Sequence, residues 1–141
     1  MDYKKEEWNL KDILSEKDIP RLLSEVELIT RKIESHKSRF NNKISEKKFR
    51  EIINNFEKLH LSLAKIQQYA ALLFSENTKN QMAIALETKI NEIDTDISNR
   101  LLWFSLNFVD FPEKDIKRLI GSCPHIKYYL EQIVKNKKYK L

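Results

Sequence analysis

The sequence has little glycine, proline or cysteine: one glycine, three prolines and one cysteine in 141 residues. Because few residues favour a sharp backbone turn, the chain is suited to long helices. A single cysteine excludes an internal disulfide and a paired CxxC motif. A single glycine excludes the glycine-rich loops that hold phosphate groups.

The sequence also lacks long apolar runs. A membrane span needs roughly 20 apolar residues, and a secretory signal needs an apolar core behind its first residues. The N-terminal stretch over residues 1–7, MDYKKEE, is polar and leads into no such run. We therefore expect a cytoplasmic protein with no membrane partner, and a reducing cytosol is compatible with the lone Cys123.

Charge is plentiful in both signs, with 26 basic and 21 acidic residues and a formal net charge of +5. The signs alternate along the chain, as in EKK at 46–48 and EKD at 113–115, which is typical of a solvated helix surface. We expect no nucleic-acid partner, because no nucleic-acid-binding motif is present. Nucleic-acid binding through the basic C-terminal end stays a less favoured alternative, carried by Lys135, Lys137, Lys138 and Lys140.

Apolar residues recur at strides of three and four through most of the chain, and no useful length alternates with period two. The pattern predicts an all-α fold, a long antiparallel helical hairpin with shorter flanking helices, forming a helical bundle. We predict a single helical domain over residues 1–141. Its predicted segments are a docking arm over 1–18 that carries Trp8, and helices over 19–39, 45–74, 78–108, 112–120 and 125–136.

Capping residues set the predicted ends of these helices. Asp18 and Ser45 are suited to N-cap positions, and the linker SENT at 75–78 supplies another cap signal. Gly121 predicts a left-handed C-cap. Because a short polar loop joins the two longest helices, they are expected to pack antiparallel.

The histidines and the cysteine do not form a recognisable catalytic or metal-binding motif. None of His36, His60 and His125 begins a His-Glu-x-x-His pair, so surface or flanking positions are favoured over zinc ligation. Cys123 and His125 suggest a thiol–base pair, but residues so close at a helix start do not usually face each other. A structural cysteine is the favoured interpretation.

Two further clusters are interpreted as structural. Carboxylates two residues apart on a helix point to different faces, so the acidic cluster of Glu92, Asp94 and Asp96 is expected to face solvent. Aromatic residues at helical spacing are expected to pack in the core, namely Tyr69, Phe74, Trp103, Phe104 and Phe108. No catalytic, cofactor-binding or metal-binding residue is predicted in this chain.

Several local patterns, in order, resemble the N-terminal helical domain of oligoendopeptidase F-like (thimet oligopeptidase-type) zinc metallopeptidases. WNLKDI at 8–13 resembles the family's opening, and YAALLFSENT at 69–78 resembles its helix-loop-helix tip. WFSL at 103–106 resembles the aromatic end of the next long helix, and the stretch from 128 to 141 resembles a later Tyr-x-x-Leu-Glu segment. Departures include Asn77, where the family usually has Asp.

The resemblance implies a role for the chain within a larger enzyme. It implies a non-catalytic N-terminal lobe that forms part of the wall of a cleft for oligopeptide substrates. The implied partner is the C-terminal catalytic domain of the same polypeptide, where the zinc is expected. No cofactor is implied for residues 1–141.

Two interpretations make different predictions. A lobe of a peptidase is expected to leave an apolar surface bare around Trp8, Trp103 and Tyr128, and its reading frame is expected to continue past Leu141 to a His-Glu-x-x-His motif. A free-standing helical interaction module is expected to have a self-sufficient core and a specific protein partner.

Overall fold

The computed structural model describes residues 18–127 and 130–131. These residues contain no strand, which confirms the all-α prediction. The predicted docking arm, except Asp18, and most of the predicted helix 125–136 lie outside them. The described helices are α1 Asp18–Glu34, α2 Glu46–Glu76, α3 Gln81–Arg100, α4 Leu102–Phe108 and α5 Glu113–Gly121, with short 3₁₀ helices at Lys37–Arg39 and Pro124–Ile126.

The long helix α2 is the centre of the bundle. Its 31 residues extend over about 46 Å, and both α1 and α3 pack along it. Ser45 caps its start as predicted, because the Ser45 hydroxyl accepts a hydrogen bond from the Lys48 amide at 3.2 Å. The buried stripe of α2 follows the predicted helical spacing: Phe49, Ile52, Ile53, Leu59, Leu63, Ile66 and Ala70. None of the described helices combines the length and apolarity that a membrane crossing requires.

The cap of α3 differs from the one that the sequence suggested. Residues 75–78 do not cap this helix; its N-cap is Asn80, whose side-chain oxygen accepts from the amides of Met82 at 2.9 Å and Ala83 at 3.2 Å. These amides have no partner within the helix, so the Asn80 side chain satisfies them.

Asn80→Ala is expected to lower the free energy of unfolding by about 1 kcal/mol, because both amides lose their acceptor. Urea titration followed by circular dichroism measures this change. Thr78→Ala is the matched control, since Thr78 is exposed and caps no described helix. Equal losses in the two variants would contradict the assignment of the cap.

The predicted helix over 19–39 is too long. Helix α1 ends at Glu34, and a turn and a 3₁₀ helix follow. The Ser35 amide still donates to the Arg31 carbonyl, but the His36 amide donates to the Ile33 carbonyl at 3.0 Å, an i→i−3 bond that tightens the last turn. Phe40 then has an extended backbone and points into the core. Its spacing of seven from Ile33 continued the helical pattern, so the apolar period alone did not reveal the break.

The predicted helix over 78–108 is interrupted at Leu101. Helix α3 ends at Arg100 and α4 begins at Leu102, with Leu101 at φ −106° and ψ 6° between them. The break adds no residue to the apolar period, so Ile97, Leu101, Phe104 and Phe108 keep their spacing and are all buried. Apolar spacing therefore could not reveal the interruption.

Gly121 is not the predicted left-handed C-cap. It is the last residue of α5, and no glycine in the described residues has a positive φ. The chain leaves α5 through Ser122 at φ −76° and ψ −11°, with the Cys123 amide donating to the Ile120 carbonyl at 3.0 Å. This right-handed exit needs no glycine.

Gly121→Ala is consequently expected to stabilise the protein by about 0.5–1 kcal/mol. A β-carbon at this position would meet no atom within 4 Å, and alanine restricts the unfolded chain more than glycine does. A rise in the urea midpoint would support this. A fall would favour the left-handed conformation that the sequence had suggested.

An aromatic cluster joins Phe40, which follows the 3₁₀ helix after α1, to the first half of α2 and to helix α4. Phe104 is at its centre, with ring centroids 4.9 Å from Phe40, 4.9 Å from Phe56 and 5.9 Å from Phe108. Phe49 and Phe108 are fully buried. Stacked and edge-on rings at these distances contribute beyond the area they bury, so the cluster holds the segment around Phe40 against α2 and α4.

Two arginines connect segments that are distant in the sequence. Arg100 at the end of α3 donates to Glu27 at 2.7 Å and to Glu34 at 2.6 Å, both on α1. Arg118 on α5 donates to the backbone carbonyls of Asn42 and Ile44, each at 3.0 Å. The second arginine fixes α5 against the loop before α2 and so positions the chain that follows α5.

Candidate functional site

An open groove of about 810 Å³ lies on the α2–α3 hairpin. One wall comes from α2 between Ile53 and Leu63, and a second comes from α3 and α4 between Asp94 and Ser105. The third side is the chain after α5, which contributes His125, Ile126 and Leu130. Because α2 and α3 are antiparallel, Asp94 lies towards the Leu63 end of the groove and Ser105 towards the Ile53 end.

The lining of the groove is mainly apolar, and part of it is open to solvent. Leu59 and Leu63 are buried and belong to the core beneath it. Leu61 on α2 and Leu102 on α4 also line it, yet they are 63% and 49% exposed. Exposed leucines on the walls of one concave surface are typical of a site that binds another apolar group.

With histidines counted as neutral, the charged residues of the groove are acidic. Glu57 and Asp94 line it, and no lysine or arginine does so among the described residues. Nε2 of His125 contacts Oε1 of Glu57 at 2.5 Å, which ties the 3₁₀ helix Pro124–Ile126 to α2. With histidines counted as neutral, the groove therefore has the opposite sign to the chain as a whole.

His60 and His125 line the same groove, and His36 does not. His36 precedes the 3₁₀ helix Lys37–Arg39 and is half-buried, whereas His60 and His125 are exposed and line the groove. No group of three potential metal-ligating residues occurs in 18–127 or 130–131.

The cysteine is buried and the acidic cluster faces solvent, as the sequence predicted. Cys123 is fully buried, and its Sγ contacts Ser122 Oγ at 3.6 Å, while His125 contacts Glu57. Glu92, Asp94 and Asp96 are exposed. Asp96 pairs with Arg100 at 3.4 Å and Asp94 lines the groove, so neighbouring carboxylates do face different ways.

The expected bare surface around Trp103 is wrong. Trp103 is only 7% exposed and packs edge-on against Phe40, with ring centroids 5.4 Å apart. Trp8 and Tyr128, the other two residues of that prediction, lie outside the described residues. Among the proposed core aromatics Trp103, Phe104 and Phe108 are buried, Tyr69 is half-buried, and Phe74 is 40% exposed.

Sequence reasoning missed the groove itself. The one signal for the groove in the sequence was the presence of leucines next to the buried stripe. Leu61 falls between Leu59 and Leu63, and Leu102 follows Leu101. The contact between Glu57 and His125 joins residues 68 positions apart, so no local pattern could indicate it.

No protein-family model, curated protein or solved structure matches this chain. Its activity and its partners are therefore proposed from its own residues.

Proposed function

We propose that this chain is the non-catalytic N-terminal lobe of an oligopeptide-cleaving zinc metalloendopeptidase of the oligoendopeptidase F type, located in the cytoplasm. The main support is the ordered set of motifs that resemble this family. The YAALLFSENT motif at 69–78 spans the end of α2 and the turn before α3, where a helix-loop-helix tip is expected. The WFSL motif at 103–106 follows α3 on a separate short helix.

The open groove supports a lobe that packs against another protein surface. In this proposal the lobe forms part of the wall of the substrate cleft, and its partner is the C-terminal catalytic domain of the same polypeptide. The exposed Leu61 and Leu102 are suited to contact that domain. Oligopeptide substrate is bound by the full-length enzyme.

Zinc belongs to the catalytic domain in this proposal. Zinc sites in peptidases use histidine and carboxylate side chains that converge on one point. The described residues contain no group of three histidine, cysteine or carboxylate side chains placed to hold a metal ion. In this proposal the lobe contributes by enclosing the substrate cleft.

The proposal is tested by the reading frame and by peptide hydrolysis. The codons after Leu141 are expected to encode a His-Glu-x-x-His motif and a later glutamate ligand. The longer product is expected to cleave a fluorescence-quenched oligopeptide and to lose this activity with a zinc chelator. The 141-residue chain alone is expected to be inactive. A stop codon directly after Leu141, or an inactive longer product, would contradict the proposal.

A second candidate is a free-standing helical interaction module. It is favoured by a core in which ring contacts join Phe40, which follows α1, to helices α2 and α4 within the described residues. In that case the groove binds a separate protein. Two-state unfolding of the 141-residue chain, together with a reading frame that lacks the zinc motif, would favour this candidate over the first.

A further inference from the structure

We propose that the groove on the α2–α3 hairpin binds a basic amphipathic helix of about three turns. Its apolar stripe contacts Leu61 and Leu102, and its lysine or arginine side chains pair with the exposed carboxylate of Asp94. The inference rests on the proposed function for the source of this helix, which is the catalytic domain of the same polypeptide.

The length of the occupant follows from the two walls. The α2 wall extends from Ile53 to Leu63 and the opposite wall from Asp94 to Ser105. Each wall is therefore about 15–17 Å long at 1.5 Å per residue. A helix of three turns covers this length and presents side chains at i, i+3, i+4 and i+7 along one face.

A helical occupant is favoured over an extended one by hydrogen bonding. The described residues contain no strand, so they offer no sheet edge to which an extended peptide could add. The floor is apolar and would leave the backbone groups of an extended peptide without partners. A helix satisfies its own backbone groups and can lie on such a surface.

The sign of the occupant's charge follows from the lining. With histidines counted as neutral, Glu57 and Asp94 are the charged residues in the groove, and the Glu57 carboxylate already contacts Nε2 of His125. Asp94 makes no ion pair with another described residue, and its carboxylate is exposed. A positively charged flank on the occupant would pair with Asp94, and a negative flank would be repelled.

The direct test uses two labelled synthetic helical peptides and the full 141-residue chain. Each peptide has about 18 residues, long enough to keep some helix in water, with leucines at i, i+3, i+4, i+7 and i+11. One carries lysines beside this stripe, and the other carries glutamates at the same positions. We expect the lysine peptide to bind about tenfold tighter by fluorescence anisotropy, with affinity that falls as salt is raised.

Point variants locate the binding. Leu61→Glu and Leu102→Glu are each expected to weaken the lysine peptide about tenfold, and Asp94→Lys is expected to reduce the preference for it over the glutamate peptide. Leu28→Glu on α1 is the matched control, because Leu28 is 59% exposed and does not line the groove. It is expected to leave the affinity unchanged. Circular dichroism checks folding, and either groove leucine suffices if the other variant does not fold.

Several results would overturn the proposal. One is that the lysine peptide does not bind, and another is that both peptides bind with equal affinity. A third is that Leu28→Glu weakens binding as much as the groove variants do. A dimer in sedimentation that Leu61→Glu dissociates would assign the groove to a second copy of the chain. A tenfold gain in peptide affinity after removal of residues 132–141 would assign it to that segment.

The outcome is separable from the test of the proposed function. Peptide binding can succeed when the reading frame lacks a zinc motif, which would leave the groove as the site of an interaction module. Peptide hydrolysis by the longer product can also succeed when the groove binds neither peptide.

Discussion

Phe104→Ala is expected to lower the free energy of unfolding by about 3–5 kcal/mol. Phe104 is 5% exposed, and its ring contacts those of Phe40, Phe56 and Phe108. Truncation removes these contacts and leaves a cavity between helices that cannot all move inward together. Urea unfolding followed by circular dichroism gives the change, and a loss below about 1 kcal/mol would contradict a central role for this ring.

Phe74→Ala is the matched control for this variant. Phe74 is in the last turns of α2 and is 40% exposed, so the same truncation there removes much less packing. We expect a loss of at most about 1 kcal/mol. Similar losses in the two variants would mean that the hairpin tip is as tightly packed as the aromatic cluster, contrary to the structure.

Arg100→Met is expected to cost about 1–2 kcal/mol of unfolding free energy. The guanidinium group bonds Glu27 and Glu34 on α1, and its side chain is 24% exposed. Without the cation, two carboxylates on α1 lose their shared partner. The cost stays below that of a fully buried pair because the carboxylates are 42% and 34% exposed.

Arg31→Met is the control for Arg100, because it makes the same substitution at an exposed arginine. Arg31 pairs with Glu27 within α1 at 3.2 Å, but its side chain is 70% exposed. Exposed i,i+4 pairs contribute about 0.3–0.5 kcal/mol. If the two variants lost the same stability, the connection between α3 and α1 would have no measurable effect.

The same contacts predict a pH dependence. The hydrogen bonds from Arg100 lower the pKa of Glu27 and of Glu34 below the ordinary value of 4.5. A lowered pKa in the folded state stabilises the protein above pH 4.5, and this contribution is lost as pH falls through the folded-state pKa values. Urea midpoints between pH 6 and the acid limit of folding measure it. We expect the urea midpoint to fall less steeply with decreasing pH in Arg100→Met than in the unchanged chain.

Much of the secondary structure followed from local chemistry in the sequence. A sequence with one glycine and regular apolar strides of three and four predicts helices and no strands, and the described residues confirm this. The start of α2 was predictable because Ser45 is a strong N-cap ahead of a long apolar stripe. Both signals depend only on neighbouring residues, which is why they could be read without coordinates.

Helix interruptions were harder to predict. The breaks after Glu34 and at Leu101 keep the spacing of buried residues, so the apolar period continues across them. The prediction of a left-handed C-cap at Gly121 was also wrong. Glycine permits a left-handed conformation, but the observed right-handed exit through Ser122 does not need it.

By itself the sequence determined that this protein is helical, where most helices begin and which faces are apolar, because those properties depend on local propensity and spacing. Only the tertiary structure decided which apolar faces close against each other and which stay open as the groove. It also decided that Arg100 would join α1 and that His125 would contact Glu57. These contacts join residues far apart in the chain, and only packing brings them together.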